Sequence, residues 1–598
     1  MDQKSAGVLS GMLLGDREFL QEESKIDFRL GGLTHVLAIS GLHISFLGNG
    51  IFVILQYAGL PLAAAAPLSA IMMFLYCLFA GSPVSAVRAA IMFAVMTGAR
   101  MTKRSYDTLS ALALAAILML LYEPHILFYA GFQMSVAAVA GAAVVYPVLN
   151  GMIPQDFWRR GSPEKRYLEK VMEAAFLYIS ITLATVPLTA FYFYEIPLMG
   201  LFTNVVLVPM TGMILCAGVA GSVVLFLAGM TGIGACGRLF AKISLFPADM
   251  LLRIFGKIAG AIRELPLTTW ICGQPSVPQL FVFYACLTIS MILLRARRRR
   301  KKLPGRILRS EKTLRLLPYL LLSAGIFILF FRIHEPLKMT MLSVGQGDGL
   351  VIQHSGTVYI VDGGSSDESN VGKYTIIPCL KQQGITHVEG IFLSHGDADH
   401  YNGIEEILES IRNKELAVKV KYLMMPCWMK EDETGKRLFQ TAEKAGVKVR
   451  YLSAGDKIVD KKGKEMTIGI LFPGEDYQGS GNEASMTMEL ELGSFSALLT
   501  GDLEGEGEKN AIHAMKDVDV LKVGHHGSRN ATSEEMLKIC SPEVCLISAP
   551  RNSRYGHPHQ ETLDRIKNAG ADYFVTKDLG AVTVISDGKQ YRIIREGG

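Results

Sequence analysis

The chain has 598 residues, 50% of them apolar and 19% charged, with a formal net charge of +5 and a mean hydropathy of +0.29. That length is too great for a single core. The hydropathy excludes both a purely soluble enzyme and a purely membrane-embedded protein. The small net charge says nothing by itself about nucleic acid, because basic clusters beside membranes also set topology.

Residues 1–32 read as an N-terminal polar segment. Apolar runs then recur through residues 33–294, which are expected to form a polytopic membrane domain. Spans are expected near 38–60, 61–80, 86–98, 109–121, 128–149, 174–193, 197–215, 216–230 and 278–294. Several are shorter than the roughly 20 residues of a straight crossing. Residues 238–263 are amphipathic, with Lys242, Arg253, Lys257 and Arg263 among apolar residues, and suit the membrane interface. Polar groups inside the apolar runs mark a candidate pathway. His35, Ser40 and His43 open the first run, Arg88 follows a Gly-Ser-Pro break, and Gln133 lies in a later run. A buried arginine is costly unless it faces water or a partner; the bland alternative is that Arg88 snorkels to a headgroup.

Residues 295–302 hold seven cations in eight positions. Beside a membrane helix this is a topology signal, so the basic linker 295–315 is expected to be cytoplasmic. The apolar run 316–332 then crosses back and leaves the remainder outside.

From 338 to 598 the composition is that of an α/β domain. Strand-like runs at 339–344, 358–361, 391–393, 419–425, 466–471, 486–492, 496–499, 518–523, 544–548 and 582–585 alternate with helical stretches at 404–413, 433–445, 533–540 and 560–569. This mixture fits a layered sandwich. One strand-like run ends in Ser394-His395-Gly396-Asp397-Ala398-Asp399-His400, and His395, Asp397, Asp399 and His400 form a candidate ligand set. Imidazoles suit a divalent ion, and the carboxylates favour harder ones. Asp502, the pair His525-His526, and His557 follow later apolar runs. A lone Gly-Asp or Gly-His-Pro reads as a turn; three such sites after strands point to one metal centre. Adjacent residues point apart, so one of His525 and His526 is expected to ligate. His525 is the preferred ligand, with His526 at the substrate. Asp348 and Asp362 lie in Gly-rich turns and are expected to support the ligands from behind. Asp399 is expected to orient the attacking water while it ligates, and His557 to bind metal or serve the leaving group. No serine or cysteine nucleophile is needed for such a metal-dependent hydrolase.

The 394–403 loop resembles the His-x-His-x-Asp-His signature of the metallo-β-lactamase superfamily, with Asp397 in place of the second histidine. The blocks THVLAISGLH, GSPVSAVRAAIM, GFQMSVAAVAG and PLTAFYFYEIPLMGLFTNVVLVP resemble the membrane competence domain of the ComEC family, whose members continue into such a domain. The resemblance implies a polytopic α-helical membrane domain followed by an αβ/βα metallo-β-lactamase-like four-layer sandwich, with metal at one sheet edge. It implies Asp502 as a bridging ligand. It also implies one or two divalent metal ions, manganese or zinc, and the Asp397 substitution weakens the reliance on zinc. The superfamily's isolated histidine is missing, with Asn482 and Ser485 in that region. The family's further N-terminal helices and small β-barrel domain are expected to be lacking here. The implied function is a DNA-uptake channel of the bacterial cytoplasmic membrane that passes a single strand, with an extracytoplasmic nuclease degrading the other. Implied partners are DNA, membrane lipid, a DNA receptor such as ComEA and a cytoplasmic motor such as ComFA. No P-loop is present, so ATP hydrolysis is not expected of this chain. The alternatives are a membrane-anchored hydrolase of a small ester or phosphodiester, and a channel carrying a catalytically silent binding domain.

Overall fold

A computed structural model describes residues 1–152, 163–230, 234–265, 268–300 and 312–595. It divides the chain into two units, Met1–Phe331 and Arg332–Gly598. Most of the basic linker, residues 301–311, lies outside the described residues, and of Arg298–Arg300 only the helical backbone is described.

Among the described residues of the first unit, six helices are long and apolar enough to cross a membrane: Leu62–Phe79, Val84–Met101, Ala130–Asn150, Leu168–Phe193, Gly200–Met230 and Val277–Arg297. Gly41–Tyr57, Thr108–Tyr122 and Leu316–Phe330 are apolar but shorter. The runs expected as separate spans at 197–215 and 216–230 are one helix, Gly200–Met230, with Pro209 inside it. No polar break interrupts the apolar sequence there, so nothing ends the helix.

The expectation of a polar segment at 1–32 is also corrected. Gln3–Leu14 and Glu22–Leu30 are helices, and Val8, Leu9, Met12, Leu13 and Phe28 join the unit's core. Four of these fall at i, i+1, i+4 and i+5, a helical stripe hidden among polar neighbours. The Asp2 carboxylate caps the first helix by accepting from the Ser5 amide at 2.8 Å. The amphipathic 238–263 stretch lies in helix Gly234–Arg263. Its Ala241, Ala248, Leu252, Phe255, Ala259 and Ile262 are buried at spacings of three, four and seven. Phe255 stacks on Phe28 at 5.3 Å, and Arg263 Nε donates to Asp27 at 2.8 Å. This face therefore meets protein. Two short strands, β1 (Glu195–Pro197) and β2 (Thr269–Ile271), pair antiparallel.

The second unit holds fifteen strands: β3 (Leu337–Met341), β4 (Leu350–His354), β5 (Thr357–Val361), β6 (His387–Phe392), β7 (Lys419–Pro426), β8 (Lys448–Leu452), β9 (Lys457–Asp460), β10 (Met466–Phe472), β11 (Thr487–Leu492), β12 (Phe495–Leu499), β13 (Val520–Lys522), β14 (Val544–Ile547), β15 (Asp572–Val575), β16 (Val582–Ser586) and β17 (Tyr591–Arg595). They form an eight-stranded sheet, β17-β16-β3-β4-β5-β6-β7-β8, and a seven-stranded sheet, β15-β14-β13-β12-β11-β10-β9.

Side-chain alternation builds the layers. Met339, Ile352, Phe392, Leu490, Leu499, Val520, Leu546 and Val584 fill one core between the sheets. Their neighbours Leu498, Leu521, Cys545 and Ile547 face the other way, into a second core with Met536, Leu537 and Ile566 of helices Glu534–Cys540 and Gln560–Asn568. Val351, Ile360, Ile391 and Leu423 alternate out of the central core and are buried as well. The chain is thus a helical membrane-type unit followed by a metallo-β-lactamase-like sheet sandwich.

Strand direction positions the site. β5, β6 and β7 are parallel, as are β12, β13 and β14. The loops that leave their carboxyl ends carry Asp362, His395–His400, Asp502, the His525-His526 pair and His557.

Candidate metal centre

Two glycine loops set the floor of the site. Asp362 follows β5 directly, with φ 54°, and accepts from the Ser394 amide through Oδ1 at 2.7 Å. Two residues on, Gly364 lies directly against the Asp399–His400 backbone, where a Cβ would collide with Asp399 C and His400 N. Asp348 N donates to Asp399 O at 3.1 Å, and Gly364 N donates to Asp348 O at 3.0 Å. The turns noted in the sequence thus hold the ligand loop by its main chain.

Among the described residues, seven side chains offer ligand atoms in four overlapping groups, with the atoms of each group within 4.8 Å of one another: His395, His400 and Asp502; Asp399, His400 and His526; Asp348, Asp502 and His526; Asp348, Asp362 and His400. His400 Nε2 is 3.3 Å from Asp502 Oδ2, and His526 Nε2 is 3.3 Å from Asp502 Oδ2 and 3.6 Å from Asp399 Oδ2. Those separations are long for charge-assisted hydrogen bonds and suit atoms arranged around an ion. His395 Nε2, His400 Nε2, both ring nitrogens of His526 and Asp502 Oδ1 are buried without a hydrogen-bond partner. Buried polar atoms are normally satisfied, so this convergence of orphans fits a divalent ion. Asp362 Oδ2 takes the other His400 nitrogen, Nδ1, at 3.0 Å and aims Nε2 at the cluster. Ser394 Oγ is 3.0 Å from His395 Nδ1.

The histidine pair departs from the expectation. His526 is fully buried in the cluster, whereas His525 is 23% exposed at its rim. His525 Nδ1 is 2.8 Å from Glu504 Oε2, and its Nε2 stays 3.8 Å from Asp502. The cause is the backbone. His525 (φ 45°, ψ 52°) and His526 (φ 53°, ψ 22°) are successive left-handed residues, a strained arrangement. Asp397 is also outside the groups, 58% exposed and 3.5 Å from His395 Nε2. It precedes helix Ala398–Arg412 as its N-cap. Asp348, expected behind the ligands, itself reaches the cluster. His557 is buried beside it, its ring 5.4 Å from that of His525 and 6.1 Å from that of His526, with Nδ1 3.4 Å from Gln346 Nε2. Ser485 Oγ accepts from the Asp502 amide at 3.0 Å, and Asn482 Nδ2 donates to Glu504 at 3.4 Å.

Lys522 and Glu504 escaped the sequence reading. Lys522 ends β13 fully buried, donates to Gly501 O at 2.8 Å, contacts Asp348 and lies 3.8 Å from Asp502 Oδ1. Its signal was a lone cation at the end of an apolar run.

Charge sets the protonation pattern. Burial opposes the His526 cation, but Asp502 and Asp399 outweigh it and raise this imidazole to about 9. His400 is raised well above its usual range, because Asp502 and Asp362 overcome burial. Burial works against the Asp502 carboxylate, yet His526 and His400 hold it well below the usual range. At His557 the pull of Asp502 is too weak to prevail; burial, then His526 and His525, push it down to about 4.

In the helical unit, Ser40, His43 and Arg88 gather at one helix end. Gly41 packs on the Arg88 guanidinium, where a Cβ would lie 2.9 Å from Nη2. His35 is exposed on the short turn Thr34–Val36. Gln133 Nε2 donates to Leu127 O at 2.9 Å and caps local backbone.

A family profile described as "Competence protein" matches residues 12–297, and one described as "Metallo-beta-lactamase superfamily" matches residues 342–548. ComE operon protein 3 of Bacillus subtilis is 29% identical over 97% of this chain and 71% of its own length. Recombination protein 2 of Haemophilus influenzae is 26% identical over 94% of this chain and 69% of its own. Competence protein ComA of Neisseria gonorrhoeae is 24% identical over 96% and 74%. Among solved structures, the metallo-beta-lactamase fold protein YhfI from Bacillus subtilis matches at 14% identity and a TM-score of 0.29, over 43% of this chain and all of that one.

Proposed function

We propose that this chain, which belongs to the family of competence proteins joining a Competence domain to a metallo-β-lactamase domain, is a multi-pass DNA-uptake protein of the cell membrane whose sheet domain is a metal-dependent phosphodiesterase acting on DNA. The observation that carries the enzymatic half is the convergence of orphaned ligand atoms of His395, His400, Asp502 and His526 at the strand ends. The family supports the DNA-uptake half. A DNA receptor and a cytoplasmic motor are the partners this reading calls for.

In this reading His395, His400, Asp502, His526, Asp399 and Asp348 hold one or two divalent ions. A bound ion supplies Lewis acidity that acidifies water and neutralises phosphoryl charge. Asp399 takes a ligand's place at the open side, where its partial exposure leaves room for water. Asp362 fixes the His400 ring, and Glu504 fixes His525 at the rim. With its pKa near 4, His557 is neutral at pH 7 and can donate a hydrogen bond to a leaving oxygen. Tyr555, 64% exposed, lies with its ring 5.8 Å from that of His557, and Arg551 and Arg554 are exposed on the same loop. An aromatic face beside cations suits single-stranded nucleic acid, which binds by base stacking and backbone charge.

The test offers the purified protein linear DNA, a lactone and a phosphorylcholine ester under manganese and under zinc. Cleavage of DNA that is lost in Asp502→Ala is expected. Cleavage of the small esters alone would replace this reading with the anchored-hydrolase one, and fully bound metal without any cleavage would favour a binding domain.

A further inference from the structure

Among the described residues, the helical unit contains a buried cation without a counter-ion. Arg88 leaves the second turn of helix Val84–Met101 and is only 6% exposed. Its Nη1 reaches Met92 Sδ at 3.6 Å, a weak acceptor, and its Nε has no hydrogen-bond partner. Among the described residues, none of the helical unit's ion pairs includes Arg88. A snorkelling arginine would carry its guanidinium to solvent; this one is enclosed by protein.

The guanidinium lies on Gly41, the first residue of the 17-residue helix Gly41–Tyr57. The first amides of a helix have no intrahelical acceptor and carry the positive end of its dipole. Two residues on, His43 is fully buried. Its Nδ1 accepts from the Ser40 amide at 3.2 Å and lies 2.8 Å from Ser40 Oγ. A ring nitrogen that accepts an amide proton leaves the proton of a neutral imidazole on the other nitrogen. His43 Nε2 is therefore a donor, and it too is buried without a partner. A capping box, in which the Ser40 side chain accepts from the His43 amide, covers part of this helix start, but the guanidinium Nε–H and the imidazole N–H remain donors without an acceptor. Donors buried without acceptors are unfavourable unless a ligand supplies the acceptors.

We propose that Arg88, His43 and the first turn of Gly41–Tyr57 form an anion station that takes one phosphodiester group. Arginine presents a planar fork that matches phosphate geometry, and a helix start matches its charge. Gly41 is part of the device, because a side chain there would displace the guanidinium. The inference rests on the DNA-uptake reading only for the source of the phosphodiester. A phospholipid headgroup carries the same chemistry.

The test uses the full chain in a phosphate-free detergent with EDTA, which keeps metal out of the sheet domain. The probes are a short abasic deoxyribose-phosphate oligomer, its uncharged methylphosphonate counterpart and a short-chain phosphatidylglycerol. Arg88→Gln is expected to weaken the phosphate oligomer by about tenfold, the size of one lost charge-assisted contact, and to leave the methylphosphonate unchanged. Arg88→Lys should recover part of the loss. Gly41→Ala, which removes no charge, should weaken the same probe and guards against a folding defect peculiar to position 88. Equal oligomer binding by the parent, Arg88→Gln and Gly41→Ala would overturn the station. Arg88-dependent binding of phosphatidylglycerol with no binding of the oligomer would uphold the station and overturn the DNA source.

Discussion

Replacing Lys522 with methionine separates the role of a buried cation from that of metal. Lys522 is enclosed at the end of β13, with Asp348 in contact, Asp502 Oδ1 at 3.8 Å and Gly501 O at 2.8 Å. Burial works against its charge, but Asp348 and Asp502 outweigh it and raise its pKa, so the ammonium persists across the neutral range. Methionine fills similar space and leaves both carboxylates without that cation. Removing one partner of a buried ion pair costs roughly 3–5 kcal/mol. For a domain of this size, each kcal/mol shifts the melting temperature by about 2–4 °C, so a fall of roughly 6–20 °C is expected without metal. A divalent ion held by Asp348 and Asp502 supplies the missing charge, and saturating manganese or zinc should therefore recover at least about half of the fall. The assay is thermal unfolding of residues 332–598, which have their own two-sheet core, with EDTA and with each metal. Equal losses in all conditions would show that Lys522 acts by packing alone and that the ion does not reach these carboxylates.

The geometry of the histidine pair predicts that His526→Ala lowers bound metal, measured by elemental analysis, several-fold more than His525→Ala; the reverse order would restore His525 as the ligand. Asp460 Oδ2 accepts from buried His354 Nδ1 across the two sheets, at 2.9 Å, and although burial raises its pKa, the His354 bond prevails and lowers it. A depressed carboxylate contributes stability above its unfolded pKa of about 3.9 that is lost as pH falls through the folded value, so Asp460→Asn should cost about 1–3 kcal/mol at pH 7 and flatten the acid limb of a stability-versus-pH curve; an unchanged limb would refute this. Reporter fusions at residue 302 and at the C-terminus should report opposite compartments, because the basic run should remain cytoplasmic while 316–332 crosses; the same compartment for both would mean that the Leu316–Phe330 helix does not span.

The loops that bring the candidate ligand residues together were legible because each joins two independent signals, an apolar run and a ligand-type residue after it. His395, Asp399, His400 and Asp502 follow that rule. The choice between His525 and His526 was not legible, because it assumed the alternation of extended backbone. Two successive left-handed residues send the side chains elsewhere. Asp348 and Lys522 meet across the two sheets, a juxtaposition that no local pattern contains. Of the missed strands β4, β8, β9, β15 and β17, the last four are the edges of the two sheets, with Lys448, Arg450, Lys457, Asp572, Arg592 and Arg595 breaking up the apolar pattern. Solvent on an edge tolerates such charges and they discourage edge-to-edge pairing. The N-terminal helices were hidden for the opposite reason. Their apolar stripe is narrow, and the polar residues on the other faces dominate the composition.

The same charge balance links the site's protonation to its metal competence. Asp348, Asp362, Asp399 and Asp502 converge, and Lys522 reaches Asp348 and Asp502. Such a concentration of carboxylates in a low-dielectric interior requires further positive charge. Without metal, the raised pKa values of His400 and His526 supply it as protons. A divalent ion at the same atoms supplies it instead, and the imidazoles must then be neutral to ligate. Protons and metal therefore compete for one deficit. The exposed Asp397 lies outside that deficit, since solvent already screens it. The carboxylate at that position thus adds no buried charge, and His395, Asp399, His400, Asp502 and His526 stay gathered beside it.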